Sequence, residues 1–217
     1  MKDEEILSSE DLTKCVEFHG HMCPGLAIGF QAARTLMERL GVRRALDEEL
    51  LATVETDACG ADAIQVVTGC TFGKGNFVFK NYGKHAFSLM DRRKGKGARV
   101  CLRSDAFKMD PVSLSLSERV QKDEASAKES AQFRRLQKKR TQKILEADAE
   151  SLFGTADSAL HPPMSMAAAR NARTAKADVA LPPIRIPLPS HACCAVSAAR
   201  QFDWHYTAPL PSVPARL

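Results

Sequence analysis

Apolar and polar positions recur in two rhythms along the first hundred residues. Between Pro24 and Gly41, Leu26, Phe30, Ala33, Met37 and Leu40 return at steps of three and four, the single buried stripe of an amphipathic helix. Pro24 suits the first turn of that helix and Gly41 the position just past its end. "LLATVETD" (50–57) reads as a strand running into Cys59-Gly60 and a short apolar helix, "ADAIQVVTG" (61–69). "NFVFK" (76–80), "HAFSLMDR" (85–92) and "ARVCLRS" (98–104) read as three more strands, with "NYG" and "RKGKG" as turns. Connections this short predict antiparallel pairing. The expected fold class is α+β, a mainly antiparallel sheet packed with helices.

The pattern changes past residue 110. Residues 118–150 hold no glycine or proline, and their apolar positions (Val120, Phe133, Leu136, Ile144, Leu145) are sparse, which predicts one long solvated or partner-seeking helix. Residues 151–217 carry nine of the eleven prolines and fifteen alanines with few bulky aliphatics, so an irregular Pro/Ala-rich tail is expected there. The chain thus divides into an α+β domain (1–112), a helical connector (113–150) and a tail (151–217).

Composition narrows the class. In 217 residues, 44% are hydrophobic and 26% charged, the balance of a soluble protein, and no apolar run is long enough to span a membrane. The polar start "MKDEEILSSEDL" has no signal-peptide core, so a cytoplasmic protein is expected. Seven cysteines there are thiols, ligands or small core residues sooner than a disulfide framework. The net charge is +5, yet residues 1–117 are neutral, which makes nucleic acid an unlikely principal partner. The run "RRLQKKRTQK" (134–143) holds six basic residues and no acid; it could grip phosphates, although a solvated helix face is the ordinary reading.

Three places could carry chemistry. In "EFHGHMCPGLAIGF" (17–30), His19, His21 and Cys23 alternate and would share one face of an extended segment. Neighbouring donors on a flat strand stand roughly 7 Å apart, whereas ligands of one ion lie about 2.0–2.3 Å from it. A metal site therefore needs a turn that folds the donors together. Cys23 precedes Pro24, where the orphan N–H groups of a helix start favour thiolate. A buried cysteine beside backbone-bonded histidines explains the same pattern, and both readings stay open on spacing alone.

The second place is "ETDACGADAIQVVTGCTFGKGNF" (55–77). Cys59 stands at a strand-to-helix turn between Asp57 and Asp62, Cys70 closes the helix, and Lys74 sits between two glycines. The phosphate-loop pattern is not met, and both cysteines could simply be core. Cys15 and Cys101 lie in plain apolar contexts and read as core. The third place is "GKGNFVFKNYGKHAF" (73–87), where Lys74, Lys80, Lys84 and His85 cluster near tight turns and could orient an anion, or could merely solvate a sheet edge.

"FHGHMCPGLAIGFQAARTLMERLG" and "VETDACGADAIQVVTGCTFGKGNFVFKNYGKHAFSLMDR" resemble the E-subunit family of formylmethanofuran dehydrogenase over about residues 10–110, and the helical stretch resembles its connector. The resemblance implies an α+β domain, commonly a homodimer, with a metal-binding cleft. It assigns His19, His21, Cys23 and Cys59 to the ion, with Cys70 as a further ligand candidate. Around it the resemblance places Asp62, Lys74, Lys84 and His85; with an open position on the ion, Asp62 and His85 are the acid/base candidates, and Lys74, Lys80 and Lys84 are the anion-binding candidates. Longer members end in a zinc module with two CxxC pairs, while this chain has only adjacent Cys193-Cys194 with His191 and His205, which points to a degenerate or frame-shifted C-terminus. The family name implies a redox complex of C1 metabolism. Three functions follow as expectations: a zinc- or other transition-metal-binding accessory to a molybdenum or tungsten oxidoreductase or its pterin; a stand-alone metal-dependent enzyme on a small anion; and an interaction subunit of an oxidoreductase complex with a structural metal.

Overall fold

The structure, a computed structural model, describes residues 9–106 and 108–159. Its elements are α1 (Glu10–His19), α2 (Pro24–Leu40), β1 (Leu50–Val54), α3 (Gly60–Thr68), β2 (Phe77–Phe79), β3 (Ala86–Asp91), β4 (Lys96–Leu102), α4 (Pro111–Gln121), α5 (Ala127–Glu146), α6 (Ala149–Leu152) and β5 (Phe153–Ala159). The fold is α+β, as the hydrophobic pattern predicts. One five-stranded sheet runs in the order β2-β1-β3-β4-β5. No described helix is long and apolar enough to cross a membrane.

α2 is the centre of the molecule. Its residues Leu26 to Ala33 are all buried, because β3 and β4 pack on one side and α3 and α5 on others. Gln31 is the polar member of that stretch. Its amide donates to the carbonyls of Ile144 (3.1 Å) and Leu145 (2.8 Å), satisfying acceptors that the end of α5 leaves without helical partners. Pro24 opens α2 and Gly41 closes it with φ 59°, as expected.

The sheet departs from the expected pairing at one edge. β2 pairs parallel to β1 rather than antiparallel to β3, with Ala52 opposite Phe77. The reason is the crossover: α3 carries the chain from the C-terminal end of β1 back to its beginning, so β2 must restart in the same direction. "NYG" therefore makes no hairpin. It bridges across the end of β1, where the N–H groups of Tyr82 and Lys84 both donate to the Glu55 carbonyl. The "RKGKG" turn between β3 and β4 forms as expected, with the Asp91 carboxylate accepting from Arg93 and Lys94 N–H.

Two further expectations change. The predicted long helix over 118–150 is two helices. α4 starts earlier, at Pro111, and the chain breaks at Lys122–Ser126, where Asp123 takes φ 58°. Ser126 and Glu129 then form a reciprocal capping box that starts α5. A composition free of glycine and proline hides that break, because the start signal is a serine. The second change is at the proposed boundary of 150/151. Phe153–Ala159 continues the sheet as β5, antiparallel to β4, and Arg39 pins it through two bonds to Asp157 (2.6 and 3.0 Å). With one aromatic and no aliphatic larger than alanine, this strand does not advertise itself by composition. α5 likewise is no detached connector, since Ile144 and Leu145 are buried in the core.

Candidate metal centre

His19, His21 and Cys23 do not lie on a strand. His19 is the last residue of α1, and Gly20 ends the helix at φ 90°, its N–H donating to the Val16 carbonyl at 2.8 Å. Three residues later Cys23 caps α2, its sulfur accepting from the Leu26 N–H at 3.3 Å. The chain thus turns sharply between two helix ends, and one ligand atom from each of the three residues falls within 4.8 Å of the others. The His19 and His21 rings are 4.6 Å apart, and His19 Nε2 lies 3.9 Å from Cys23 Sγ. Asp62, from the first turn of α3, meets His19 Nδ1 at 2.7 Å. That contact holds the His19 ring so that Nε2 is left facing the cluster.

Cys59 reaches this place through an unusually close helix crossing. A Cβ at Gly29 would collide with the Gly60 carbonyl oxygen, and one at Gly25 would come within 3.1 Å of Cys59 Cβ. Glycine on both sides lets the backbones of α2 and α3 touch, which brings their N-terminal ends together. Cys23 and Cys59 face each other from the two helix entrances, Cys59 donating toward Cys23, and each shifts the other's thiol; Cys59 is not part of the three-donor cluster. The bond from Cys59, the Leu26 N–H and the two histidines hold the Cys23 thiol down to about 5 against the cost of its burial. Cys59 moves the other way: donating to Cys23 and burial both push its thiol up. The pair shares one proton, with thiolate character on Cys23.

This donor set fits a transition ion. Sulfur and nitrogen bonded to one tetrahedral zinc at about 2.3 and 2.0–2.1 Å stand roughly 3.5 Å apart, and the His19–Cys23 separation of 3.9 Å needs only a few tenths of adjustment. Imidazole and thiolate are the ligand types such ions prefer.

The remaining sequence candidates are sorted by the crossover. α3 is nine residues long, a rise of roughly 13 Å, so Cys70 emerges at the other end of it from Cys59. It is fully buried, the nearest charges on it are Lys74 and Arg92, and its thiol is raised by burial. Lys74 is at that far end too, its ammonium donating to the Asp47 carbonyl ahead of β1. Neither residue joins the cluster. Lys80 and Lys84 stay at the near end, their N–H groups bonded to the carbonyls of Val54 and Glu55. His85 is set beside Arg140 of α5; burial and that cation lower its pKa. Asp62 is engaged with His19, so it positions a ligand. Cys15 and Cys101 are buried in the core as read from sequence, and burial pushes Cys15 up to about 12. Cys193, Cys194, His191 and His205 lie outside the described residues. What sequence reading missed is the Gly25/Gly29 pair, four residues apart on one helix face and opposite Gly60.

The sequence profile of the FmdE family, described as "molybdenum formylmethanofuran dehydrogenase operon", matches residues 18–154, well over half of the chain. The chain belongs to the FmdE family. The matched segment contains the whole cluster and both glycine contacts. A relative from Archaeoglobus fulgidus, described as a probable S-adenosyl-L-methionine-binding protein, is 38% identical over 98 residues, covering 43% of this chain and 27% of that protein. This chain thus spans about a quarter of the length of that relative. A solved structure, a tungsten formylmethanofuran dehydrogenase FmdE-like protein from Syntrophus aciditrophicus, is 28% identical, with a TM-score of 0.48 over 72% of this chain and 76% of the other.

Proposed function

We propose that this FmdE-family protein binds a transition metal, zinc first among them, through His19, His21 and Cys23, and serves a molybdenum- or tungsten-dependent oxidoreductase or its pterin cofactor. The observation that carries the metal assignment is the three-donor cluster, with His19 already oriented by Asp62. The family's dehydrogenase-operon description supports the accessory role. Bound there, such an ion would act as a Lewis acid or a structural clamp. Cys23 supplies a thiolate without an external base, because the α2 entrance and Cys59 stabilise it. Cys59 keeps its proton and donates it toward Cys23, from where it can serve as a fourth ligand once deprotonated.

Phe18 and Met22 are exposed beside the donors, at 60% and 36%. Apolar surface interleaved with ligands suits a site that a partner covers. The homodimer and the oxidoreductase complex implied by the resemblance are the proposed partners. A second reading has its own observation: His21 is exposed, so the cluster faces solvent and three protein ligands would leave a position for water or a small anion. Cobalt substitution separates these readings. The expected result is a thiolate-to-cobalt band that disappears in Cys23→Ser. A four-coordinate thiolate and imidazole spectrum that also needs Cys59 favours the closed site, and a five-coordinate spectrum that shifts with added small anions favours the open one. No cobalt band in the parent protein overturns the metal assignment.

A further inference from the structure

The cysteines of the described residues fall into two groups. Cys15, Cys70 and Cys101 are buried. Cys23 and Cys59 are half-buried, and they stand at the entrances of two adjoining helices, α2 and α3. Helix entrances ordinarily take Ser, Thr, Asn or Asp, whose side-chain oxygens accept from the exposed N–H groups. Here both entrances carry a thiol. That of Cys59 makes no bond to its own helix and is turned to Cys23 instead.

The backbone holds the two sulfurs in one place. A Cβ on Gly25 would lie 3.6 Å from Cys59 Sγ and 3.9 Å from Cys23 Sγ, so both sulfurs border the same glycine. Gly60, the residue after Cys59, is wedged among Gly25, Gly29 and Phe87. A Cβ there would stand 3.0 Å from the Phe87 ring, 3.2 Å from the Gly25 carbonyl oxygen and 3.3 Å from Gly29 Cα. The two helix starts therefore cannot drift apart without opening the core. The thiols also differ in kind, as attacking and resolving partners of an exchange reaction do: Cys23 carries the thiolate and Cys59 the proton.

We propose that Cys23 and Cys59 form a reversible disulfide, with a low-molecular-weight disulfide as the oxidant, and that this bond switches off metal binding at the neighbouring histidines. The disulfide stands on the thiol geometry; the switch rests on the metal reading above. Cys23 Sγ attacks one sulfur of the oxidant RSSR, whose S–S bond breaks; a mixed disulfide forms on Cys23 and RS⁻ leaves. Cys59 then attacks Cys23 Sγ, the protein disulfide forms, and the second RS⁻ leaves. The proton of Cys59 ends on one of the two released thiolates. Two protein thiols are oxidised, and one disulfide is reduced to two thiols. The product leaves His19 and His21 without the Cys23 thiolate, too few donors for a zinc site of three or four protein ligands. A reducing thiol reverses each step.

Incubation of the metal-free full chain with oxidised glutathione, followed by acid quenching and peptide mapping, tests the pair. The expected product links the Cys23 and Cys59 peptides and is undone by dithiothreitol. Cys59→Ser should stop at glutathione on Cys23, and Cys23→Ser should form neither product; melting of both variants checks that they fold. Zinc affinity, measured by chelator competition, should fall about tenfold or more in the oxidised parent and return on reduction. Absence of the Cys23–Cys59 link in the parent overturns the proposal whatever the variants do, as does Cys23 linked to Cys193 or Cys194 in its place. Undiminished zinc affinity after oxidation overturns the switch. The two readings fail separately. A link that forms in a chain taking up no zinc when reduced refutes the metal site and the switch with it, whereas zinc uptake without the link refutes the disulfide alone.

Discussion

Asp62 never needs to touch the ion, yet its removal should be felt there. Its carboxylate meets His19 Nδ1 at 2.7 Å, and the His19 side chain is 13% exposed while that of Asp62 is 35% exposed. The contact fixes the tautomer and the rotation of a mostly buried ring, and its charge raises the basicity of Nε2. Changes to such supporting carboxylates cost about 10–100-fold in metal affinity, which is about 1.4–2.8 kcal/mol. Asp62→Asn leaves a carbonyl oxygen that can still accept from Nδ1–H, so only the charge is lost and a drop of about tenfold is expected. Asp62→Ala removes both charge and acceptor and should fall toward the hundredfold end. The partial exposure of Asp62 admits water as a weak substitute, which keeps the loss from going further. Competition against a chromogenic chelator, with zinc and the purified full chain, measures the affinity. Melting of the metal-free protein beside it controls for the lost first-turn carboxylate of α3, worth about 0.3–1 kcal/mol. Affinity unchanged in both variants would refute the reasoning, as would equal losses in both that merely track a lowered melting temperature.

Other outcomes follow from the same structure. Gly29→Ala forces the Gly60 backbone away from the new methyl group; a loss of about 1–3 kcal/mol is expected, read by denaturant melting, together with weaker metal binding because Cys23 and Cys59 are driven apart. Glu55 is buried and holds Arg99 through two bonds of 2.7 and 2.8 Å, so Glu55→Ala should cost about 1.5–3 kcal/mol through loss of these charge-assisted bonds; a loss within about 0.5 kcal/mol, the range of ordinary surface changes, would contradict the burial. The pH dependence has a definite sign. Because the folded Cys23 thiol lies below its ordinary value, its thiolate stabilises the metal-free fold above the unfolded pKa, and that contribution disappears as pH falls through about 5. The raised Cys59 opposes stability on the alkaline side. In the parent chain, Cys23 alkylation by iodoacetamide should therefore already be fast at about pH 6; a rate that rises only near the ordinary thiol pKa would contradict the pairing.

Periodicity made most of the fold legible, because α2, β1, β3 and β4 bury continuous stripes, with Gly41 ending α2 and Gly95 in the turn from β3 to β4. It failed where the signal was small or reciprocal. β5 has a single large apolar side chain, the α4–α5 break is marked by Ser126 and Glu129, and the parallel β2 depends on a crossover that no local pattern encodes. At the site, His19, His21 and Cys23 were readable as a motif, and Asp62 as a nearby acid. Their geometry was not readable, since the donors are gathered by a helix end at Gly20 in place of a strand. Cys70 and Lys74 share a motif with Cys59, but the length of α3 carries them to the other end of the fold. Proximity in sequence was the misleading cue.

The most direct test of the metal assignment is elemental analysis of the parent protein, purified without chelator, beside Cys23→Ser and His19→Ala and a Cys70→Ser control. About one transition-metal ion per chain is expected in the parent and in the control, and a loss of most of it in the two cluster variants. Undiminished metal in Cys23→Ser and His19→Ala, or a parent protein that takes up none when zinc is supplied, would contradict the site.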